Sequence, residues 1–206
     1  MTATQFPVRV GEDWKTVECF WGEPPAHAEI AVLKTWSEVT GSTNEIDAAE
    51  LARLAAVKWE ATCEWGTVAK SFGEMQEIIR DDPIAEITGM LLAGAEWSED
   101  GLLGVCLFHR TWARNIFVDF LTVNPSAMAA KPTVNGVGLG LLYQLCEVAR
   151  GLESPILWGE TTVGSVSYYQ KYFTLPELND QLIVSAEKRD AFSRTMRKKW
   201  DSVRAS

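Results

Sequence analysis

Long apolar runs, closely spaced cysteine pairs and a basic face are all missing from this 206-residue sequence. No uninterrupted apolar stretch approaches the roughly 18 residues that a membrane-spanning helix needs. The opening residues contain neither an apolar signal core nor an arginine-rich presequence. We therefore expect no membrane partner and no secretion.

The four cysteines exclude two further kinds of site. They are spread along the chain without the CxxC or CxxH spacing of a zinc site and without the density of a disulfide framework. The residues are Cys19, Cys63, Cys106 and Cys146. We expect reduced thiols in the core of a cytoplasmic protein, and no metal.

The formal net charge of -9 argues against binding of duplex nucleic acid, because neutralising phosphates requires a basic face. The acidity is concentrated in residues 1–100, which carry 7 Lys and Arg against 19 Asp and Glu. Residues 101–206 carry 12 Lys and Arg against 9 Asp and Glu. The second half can therefore tolerate an anionic ligand.

Two capping boxes predict helices in the first half. Asp47 and Glu50 can form one at the start of a helix that ends at Trp65, before Gly66. A box at Ser71-Phe72-Gly73-Glu74 opens a shorter helix that stops before Pro83. The first 45 residues are harder to interpret: they predict a strand across residues 15–21 and an element of undecided type across residues 29–36.

From residue 86 the apolar period changes to that of strands. Two runs, residues 87–97 and 102–109, are joined by the turn Ser98-Glu99-Asp100-Gly101 and predict a hairpin. A third strand, residues 115–123, ends at Asn124-Pro125 because proline cannot donate to a sheet ladder. A glycine-rich loop and a helix that ends at Gly151 follow after residues 126–135. Four elements are then predicted: a strand at 156–158, a helix at 163–172, a strand at 182–184 and a helix at 187–200.

The glycine-rich loop suggests a site for an anion. A strand, a glycine turn and a helix in that order bring backbone N–H groups and the positive helix end together, and the absence of a Cβ lets a phosphate approach. Asn135-Gly136-Val137-Gly138-Leu139-Gly140 lacks the Gly-Lys-Ser/Thr of a Walker loop and the GxGxxG spacing of a Rossmann turn. The glycine turn is therefore weak evidence by itself.

Two motifs in the right order strengthen the evidence from the glycine turn. A strand ending in Val123-Asn124-Pro125, followed by the glycine loop and a helix, resembles the central motif of the GNAT-type N-acetyltransferases, with Asn135 in place of the usual Gln or Arg. The segment from Thr162 to Phe173 resembles the second motif of that superfamily, in which a helix carries aromatic-Tyr-x-Lys. Thr162 replaces the usual Asn, and the Gly before Phe173 is missing.

The resemblance implies a single α/β domain over residues 1–206, with the motifs in residues 86–173. Its fold would be a GNAT-like mixed sheet of about six or seven strands flanked by helices. It implies acetyl-CoA as co-substrate, with the pantetheine along the backbone of Leu121, Thr122 and Val123 and the pyrophosphate in the loop at Asn135 and Gly136. The amides of Val137, Gly138, Leu139, Gly140 and Leu141 would complete that cradle.

The resemblance also assigns Tyr169 as the acid that protonates the leaving sulfur. The alternative is that Tyr169 only packs in an aromatic helix, and for Tyr168 that packing role is the preferred interpretation. From strand alternation, Asp119 shares a face with Leu121 and Val123 and is the first candidate for the base. A salt bridge to Arg110 or Arg114 explains Asp119 equally well.

Two weaker candidates for the base remain. Glu160 follows the strand at residues 156–158, where a carboxylate can equally cap a helix. His109 has the titration range of a base but is more simply an exposed residue at a hairpin end.

The expected function is transfer of an acetyl group from acetyl-CoA to the amine of a small molecule or peptide. The acidic first half favours a cationic acceptor over an anionic one. A homodimer is compatible with this function. The alternative is a non-catalytic GNAT-like module that binds acyl-CoA or a protein, which the altered second motif supports.

Overall fold

The computed structural model describes residues 4–36, 41–99, 101–129, 132–176, 178 and 180–204. Nine strands and seven helices lie in these ranges. The strands are β1 Thr4–Val10, β2 Asp13–Trp21, β3 Val68–Ala69, β4 Ile87–Gly94, β5 Leu102–Arg110, β6 Ile116–Val123, β7 Val134–Asn135, β8 Ile156–Glu160 and β9 Gln181–Ser185. The helices are α1 His27–Thr35, α2 Thr43–Trp65, α3 Phe72–Asp81, α4 Pro125–Ala129, α5 Val137–Gly151, α6 Val166–Phe173 and α7 Ala186–Arg204.

The described strands form one mixed sheet with the order β7-β1-β2-β4-β5-β6-β8-β9, and β3 pairs with β4 off this path. The pairs β6–β8 and β3–β4 are parallel, and the others are antiparallel. The predicted fold class, an α/β mixed sheet flanked by helices, is therefore confirmed. The strands beyond the expected six or seven include β1, a short strand at β3 and another at β7.

Both faces of the sheet are covered, which explains why β4 and β5 are almost continuously buried. The larger core lies between the sheet and helices α5, α6 and α7, with Phe6, Phe108 and Leu141 fully buried in it. The second core lies under α1 and α2, where Trp59 packs on the opposite face of β4 and β5. These two faces are called the α5 face and the α2 face below.

The start of α2 differs from the sequence prediction. Its N-cap is Ser42, which forms a capping box with Glu45, so Asp47 and Glu50 lie inside the helix rather than at its cap. Both boxes fit the same pattern, and the upstream one adds about a turn of helix. The predicted end at Trp65 and the N-cap of α3 at Ser71 are confirmed: Ser71 Oγ accepts from Glu74 N, while the Glu74 carboxylate accepts from Lys70 N, one residue before the N-cap.

The other predicted elements are present, with shifted ends. The hairpin between β4 and β5 is confirmed, but β4 ends at Gly94, so the connection covers residues 95–101; Asp100 lies outside the described residues. Residues 126–135, to which the sequence assigned no helix or strand, carry most of α4 and the strand β7. The undecided element in the first 45 residues is α1, and β1 was missed.

All four cysteines are free thiols, as expected, and Cys19, Cys106 and Cys146 are buried. Burial raises the pKa of the Cys19 thiol to about 12, so it stays protonated near neutral pH. Among the described helices, none combines the length and the apolar character needed to cross a membrane.

The three glycines of the loop have different structural roles. Gly136 is the N-cap of α5 and adopts a φ of 107°, which L side chains rarely accept. A Cβ on Gly140 would lie 2.1 Å from the ring of Phe6, so this glycine is needed for packing of α5 against β1. A Cβ on Gly138 would lie 3.5 Å from Val123 Cγ1 and 3.9 Å from the Tyr168 hydroxyl, which are ordinary van der Waals distances, so this position has room for a methyl group.

We predict opposite effects of alanine at two of these glycines. Gly140→Ala forces the ring of Phe6 to move and should lower the free energy of unfolding by about 1–3 kcal/mol. Gly138→Ala meets no such obstacle and should leave that energy unchanged or raise it by up to about 1 kcal/mol. Urea unfolding followed by circular dichroism measures both. Equal losses would contradict the packing role assigned to Gly140.

Candidate active site

The site is organised by an opening in the sheet between β6 and β8. The two strands pair at only three positions, Ile116↔Leu157, Phe117↔Trp158 and Val118↔Gly159. Beyond Val118 the described residues provide no strand partner for the β8-facing edge of β6, while β6 remains paired with β5 to Val123. We call this opening the strand gap: its β6 side is residues 119–123, and its β8 side begins at Glu160.

A β-bulge at Asp119 lies at the closed end of the strand gap. Phe108 pairs with Val118 and Leu107 with Phe120, so Asp119 is the extra residue of β6. Such a bulge breaks the alternation of side chains between the faces. Phe120 therefore packs into the core under α2, and the Thr122 hydroxyl donates to Ala48 O of α2 at 3.0 Å.

The bulge overturns one prediction. Asp119 lies on the α2 face, where its carboxylate contacts Lys58 of α2, whereas Leu121 and Val123 pack against the core on the α5 face. Strand alternation had placed all three on one face. Alternation fails here because it assumes that each residue of β6 pairs with one residue of β5 along the whole strand.

The open end of the strand gap lies at the start of α5. Val137 lies beside Gly104 of β5, and Gly138 lies beside Val123 of β6. The first helical hydrogen bond runs from Gly140 N to Gly136 O, so the amides of Val137, Gly138 and Leu139 have no partner within the helix. Three amides and the positive end of a fifteen-residue helix are therefore available to an anion.

Asn135 lies directly before the glycine turn. It lies in β7, paired with Arg9 of β1, and its side-chain amide donates to Thr133 O at 3.4 Å. The residue is exposed and starts the turn into Gly136. Its part in a phosphate cradle stays a prediction.

Tyr168 of α6 points its hydroxyl at this open end. The oxygen is buried without a hydrogen-bond partner and lies 3.9 Å from the position of a Cβ on Gly138. Burial raises the pKa of the Tyr168 phenol well above its usual value, so the group stays a neutral donor. A buried hydroxyl without a partner is costly, and a ligand in the strand gap would satisfy it.

Tyr169 occupies a different environment from its neighbour. Its side chain lies in the larger core, 7% exposed, and burial followed by the nearby Cys106 thiol raises the pKa of its phenol. The two rings meet edge to face, with centroids 5.4 Å apart. The acid role of Tyr169 stays a prediction.

Asp119 is the most enclosed carboxylate of the site. Its side chain is 1% exposed, and its Oδ1 accepts from Lys58 Nζ at 2.5 Å. His109 Nδ1 of β5 lies 2.9 Å from Oδ2 and 3.1 Å from Oδ1. The proposed salt bridge to Arg110 or Arg114 is wrong: Arg110 donates instead to the carbonyl oxygens of Pro83 and Ala85.

Aromatic side chains continue the α2 face from His109 toward β8. The His109 ring lies 5.2 Å from that of Phe117, which lies 4.4 Å from the ring of Trp158. Glu160, exposed at the end of β8, projects from the same face as Trp158 because residues two apart on a strand share a face. Glu160 therefore lines the strand gap opposite Asp119 and stays a candidate.

Sequence reasoning underestimated His109 and missed Lys58 as a partner. His109 and Asp119 are ten residues apart on two antiparallel strands joined by a tight connection. This spacing places the two residues next to each other on adjacent strands. That signal was present but did not distinguish a paired histidine from an exposed one. No group of three or more potential metal-ligating side chains occurs within the described ranges.

Solved structures similar to this chain include three acetyltransferases. Nourseothricin acetyltransferase is 24% identical, with 41% of this chain and 48% of that chain covered and a TM-score of 0.34. A protein described as a streptothricin acetyltransferase from Bacillus anthracis str. Ames, in complex with acetyl coenzyme A, is 20% identical over 41% of this chain and 46% of its own, with a TM-score of 0.34. A GNAT-family acetyltransferase from Staphylococcus aureus Mu50 is 10% identical over 82% of this chain and 99% of its own, with a TM-score of 0.49.

All three structures are less than 25% identical to this chain, with TM-scores below 0.5, so the assignment of a function rests on the site itself. The chain spans about half the length of the first two. No protein-family model matches the chain, and no curated protein is similar to it.

We predict that Lys58 stabilises the fold through its buried partner. Lys58→Met leaves the enclosed Asp119 carboxylate with His109 alone and should lower the free energy of unfolding by about 1–3 kcal/mol. Lys34→Met is the matched control, because its partner Glu60 is exposed and such pairs contribute about 0–1 kcal/mol. Urea unfolding at pH 7 compares the two variants. Equal losses would contradict the role assigned to the Lys58–Asp119 pair.

Proposed function

We propose that the chain is a GNAT-type N-acetyltransferase, which transfers an acetyl group from acetyl-CoA to an amine of a small molecule or peptide. The observation that carries this proposal is the strand gap, which opens beside the unpaired amides at the start of α5. A backbone edge without a partner can bind the amides of an extended ligand. The helix end can bind the phosphates of the same ligand.

The donor would lie along the strand gap, with its phosphates at the start of α5 and its thioester near the bulge at Asp119. Its pyrophosphate would accept from the amides of Val137, Gly138 and Leu139, and its pantetheine would follow the free edge of Leu121–Val123. The thioester would then reach the bulge at Asp119, four residues or about 13 Å from Val123. The Tyr168 hydroxyl, buried without a partner at the open end, would donate to the donor there.

Starting from an ammonium ion, the acceptor nitrogen loses two protons and the leaving sulfur gains one. The acceptor loses its first proton to a base, and its nitrogen then forms a bond to the thioester carbonyl carbon. The C–S bond breaks as the coenzyme A thiolate takes a proton from an acid, and the nitrogen gives its second proton back to that acid. Among the candidates from the sequence, Tyr169 would supply that proton, while Asp119 and Glu160 are the carboxylates next to the closed end of the gap.

The acceptor would approach from the α2 face. The rings of Phe117 and Trp158 and the carboxylate of Glu160 lie there, and an aromatic face beside an acidic group favours a cationic acceptor.

The free thiols fit a reducing compartment, and we propose that the reaction takes place in the cytoplasm.

A non-catalytic module that binds acyl-CoA is the second candidate, favoured by the burial of Tyr169 in the core. Calorimetric titration with acetyl-CoA, followed by a thiol-release assay over a panel of amines, separates the two. The enzyme should bind acetyl-CoA and release thiol only when an acceptor is present. Binding without acceptor-dependent release supports the module, and no binding overturns both.

We predict that a bulky side chain at Gly138 abolishes donor binding. Valine adds two methyl groups where a Cβ already lies 3.5 Å from Val123 and 3.9 Å from the Tyr168 hydroxyl, and where the donor would pass. Gly138→Val should lower the affinity for acetyl-CoA at least tenfold in calorimetry, while the helical circular dichroism signal stays. Gly73→Val is the control for valine at the second position of a helix, because Gly73 holds that position in α3, with Ser71 Oγ nearest at 4.0 Å. Unchanged affinity in Gly138→Val would remove the main support for the donor site.

We predict different effects of phenylalanine at the two tyrosines of α6. Tyr169→Phe removes the proposed acid and should lower turnover about 10²- to 10⁴-fold with little change in acetyl-CoA affinity. Tyr168→Phe removes one hydrogen bond and should weaken acetyl-CoA binding about threefold to tenfold. Steady-state kinetics and calorimetry measure the two effects. If Tyr169→Phe turns over like wild type, Tyr169 is a packing residue.

A further inference from the structure

We propose that His109 removes the proton of the acceptor amine and that Asp119 and Lys58 position it for this step. The proposal rests on the acetyl transfer proposed above and assigns the base of that reaction. The observation behind it is the hydrogen-bonded chain Lys58–Asp119–His109 at the closed end of the strand gap. Three elements, α2, β6 and β5, contribute one residue each.

Asp119 is poorly placed to take the proton itself. Its side chain is 1% exposed, and both of its oxygens face protein donors. Its two oxygens are engaged by Lys58 and His109, so neither is placed to approach an acceptor amine. Asp119 is therefore a positioning residue and not the catalytic base.

The same hydrogen bonds fix the tautomer of His109. An ionised carboxylate only accepts, so Nδ1 must carry the hydrogen that points to Asp119. The lone pair of the neutral ring then lies on Nε2. Nε2 has no hydrogen-bond partner within the described residues, and the side chain is 26% exposed. An acceptor amine can reach this atom.

The position of the ring fits the proposed path of the donor. His109 pairs with Phe117, one residue before the last β6–β8 pair, and it contacts the bulge residue that begins the gap. It lies on the α2 face, so the acceptor would meet His109 from one side of the sheet while the phosphates bind at the start of α5 on the other. The strand gap connects the two sides.

The charges around His109 suit a group that becomes cationic. Asp119 faces it from β6, and Lys58 faces Asp119 from α2; the residue opposite on β4, Thr88, does not titrate. When Nε2 takes the proton of the ammonium, the electron pair left on nitrogen attacks the carbonyl carbon. The imidazolium is balanced by Asp119 and later returns its proton to water.

The chain offers a matched control, because His27 is its only other histidine and is exposed at the start of α1. The test begins with wild-type protein, acetyl-CoA and a panel of primary alkylamines and arylamines. His109→Gln should keep acetyl-CoA affinity and lower the turnover of alkylamines about 10²- to 10⁴-fold. An arylamine is already neutral at pH 7 and should lose far less. His27→Gln should behave as wild type for both.

The role of Asp119 is tested by a readout that stability alone would not change. In protein labelled with ¹⁵N-histidine, we expect the neutral His109 ring to carry its hydrogen on Nδ1. Asp119→Asn can donate to Nδ1 and should shift the hydrogen to Nε2, with a matching loss of alkylamine turnover.

Three results would overturn the assignment. One is wild-type alkylamine turnover in His109→Gln, another is an equal loss for alkylamines and arylamines, and the third is a hydrogen on Nε2 of wild-type His109. Loss of turnover in Glu160→Gln with His109→Gln unaffected would transfer the role to Glu160. Failure of the wild-type protein to bind acetyl-CoA or to release thiol would be visible first, and it would overturn the proposed function together with its base.

Discussion

Between Leu107 and Phe108 of β5, strand β6 carries one more residue than its partner, and that residue is Asp119. The extra residue turns the chain at the point where β6 separates from β8. It therefore fixes three things together: where the strand gap begins, which side chains face α2, and where a buried carboxylate meets Lys58 and His109. A regular β6 would place Asp119 and Leu121 on one face, as plain alternation predicts.

The sequence was sufficient for the order of elements and insufficient for local deviations from regular geometry. Capping boxes located two helices of the first half, and turn residues and the apolar period located the elements from residue 86 onward, because those signals depend only on neighbours in the chain. The bulge depends on pairing between β5 and β6, and nothing in the residues around Asp119 distinguishes it from a regular strand position. The cap of α2 is a different case, because two local boxes fit the same pattern and the structure uses Ser42.

The glycine loop illustrates how one motif can combine unrelated requirements. Gly136 has a backbone conformation that suits glycine, Gly140 makes room for the ring of Phe6, and a methyl group on Gly138 would meet only ordinary van der Waals contacts. The sequence argument treated all three as features of a phosphate site. In the structure one of them is required by the turn and another by packing, so the motif is partly a consequence of how α5 rests on β1 and β5.

Helix α2 forms a wall of the α2 face and also holds Asp119 through Lys58. Its alanines at positions 48, 52, 55 and 56 and its Trp59 are committed to the core, while Glu60 lies on the outer surface and pairs with α1. Adaptation to new acceptors is therefore constrained on this helix. Substitutions that tilt or shift α2 would also move the ammonium group of Lys58 away from Asp119. Changes in acceptor preference are therefore confined to positions where a substitution does not move the helix.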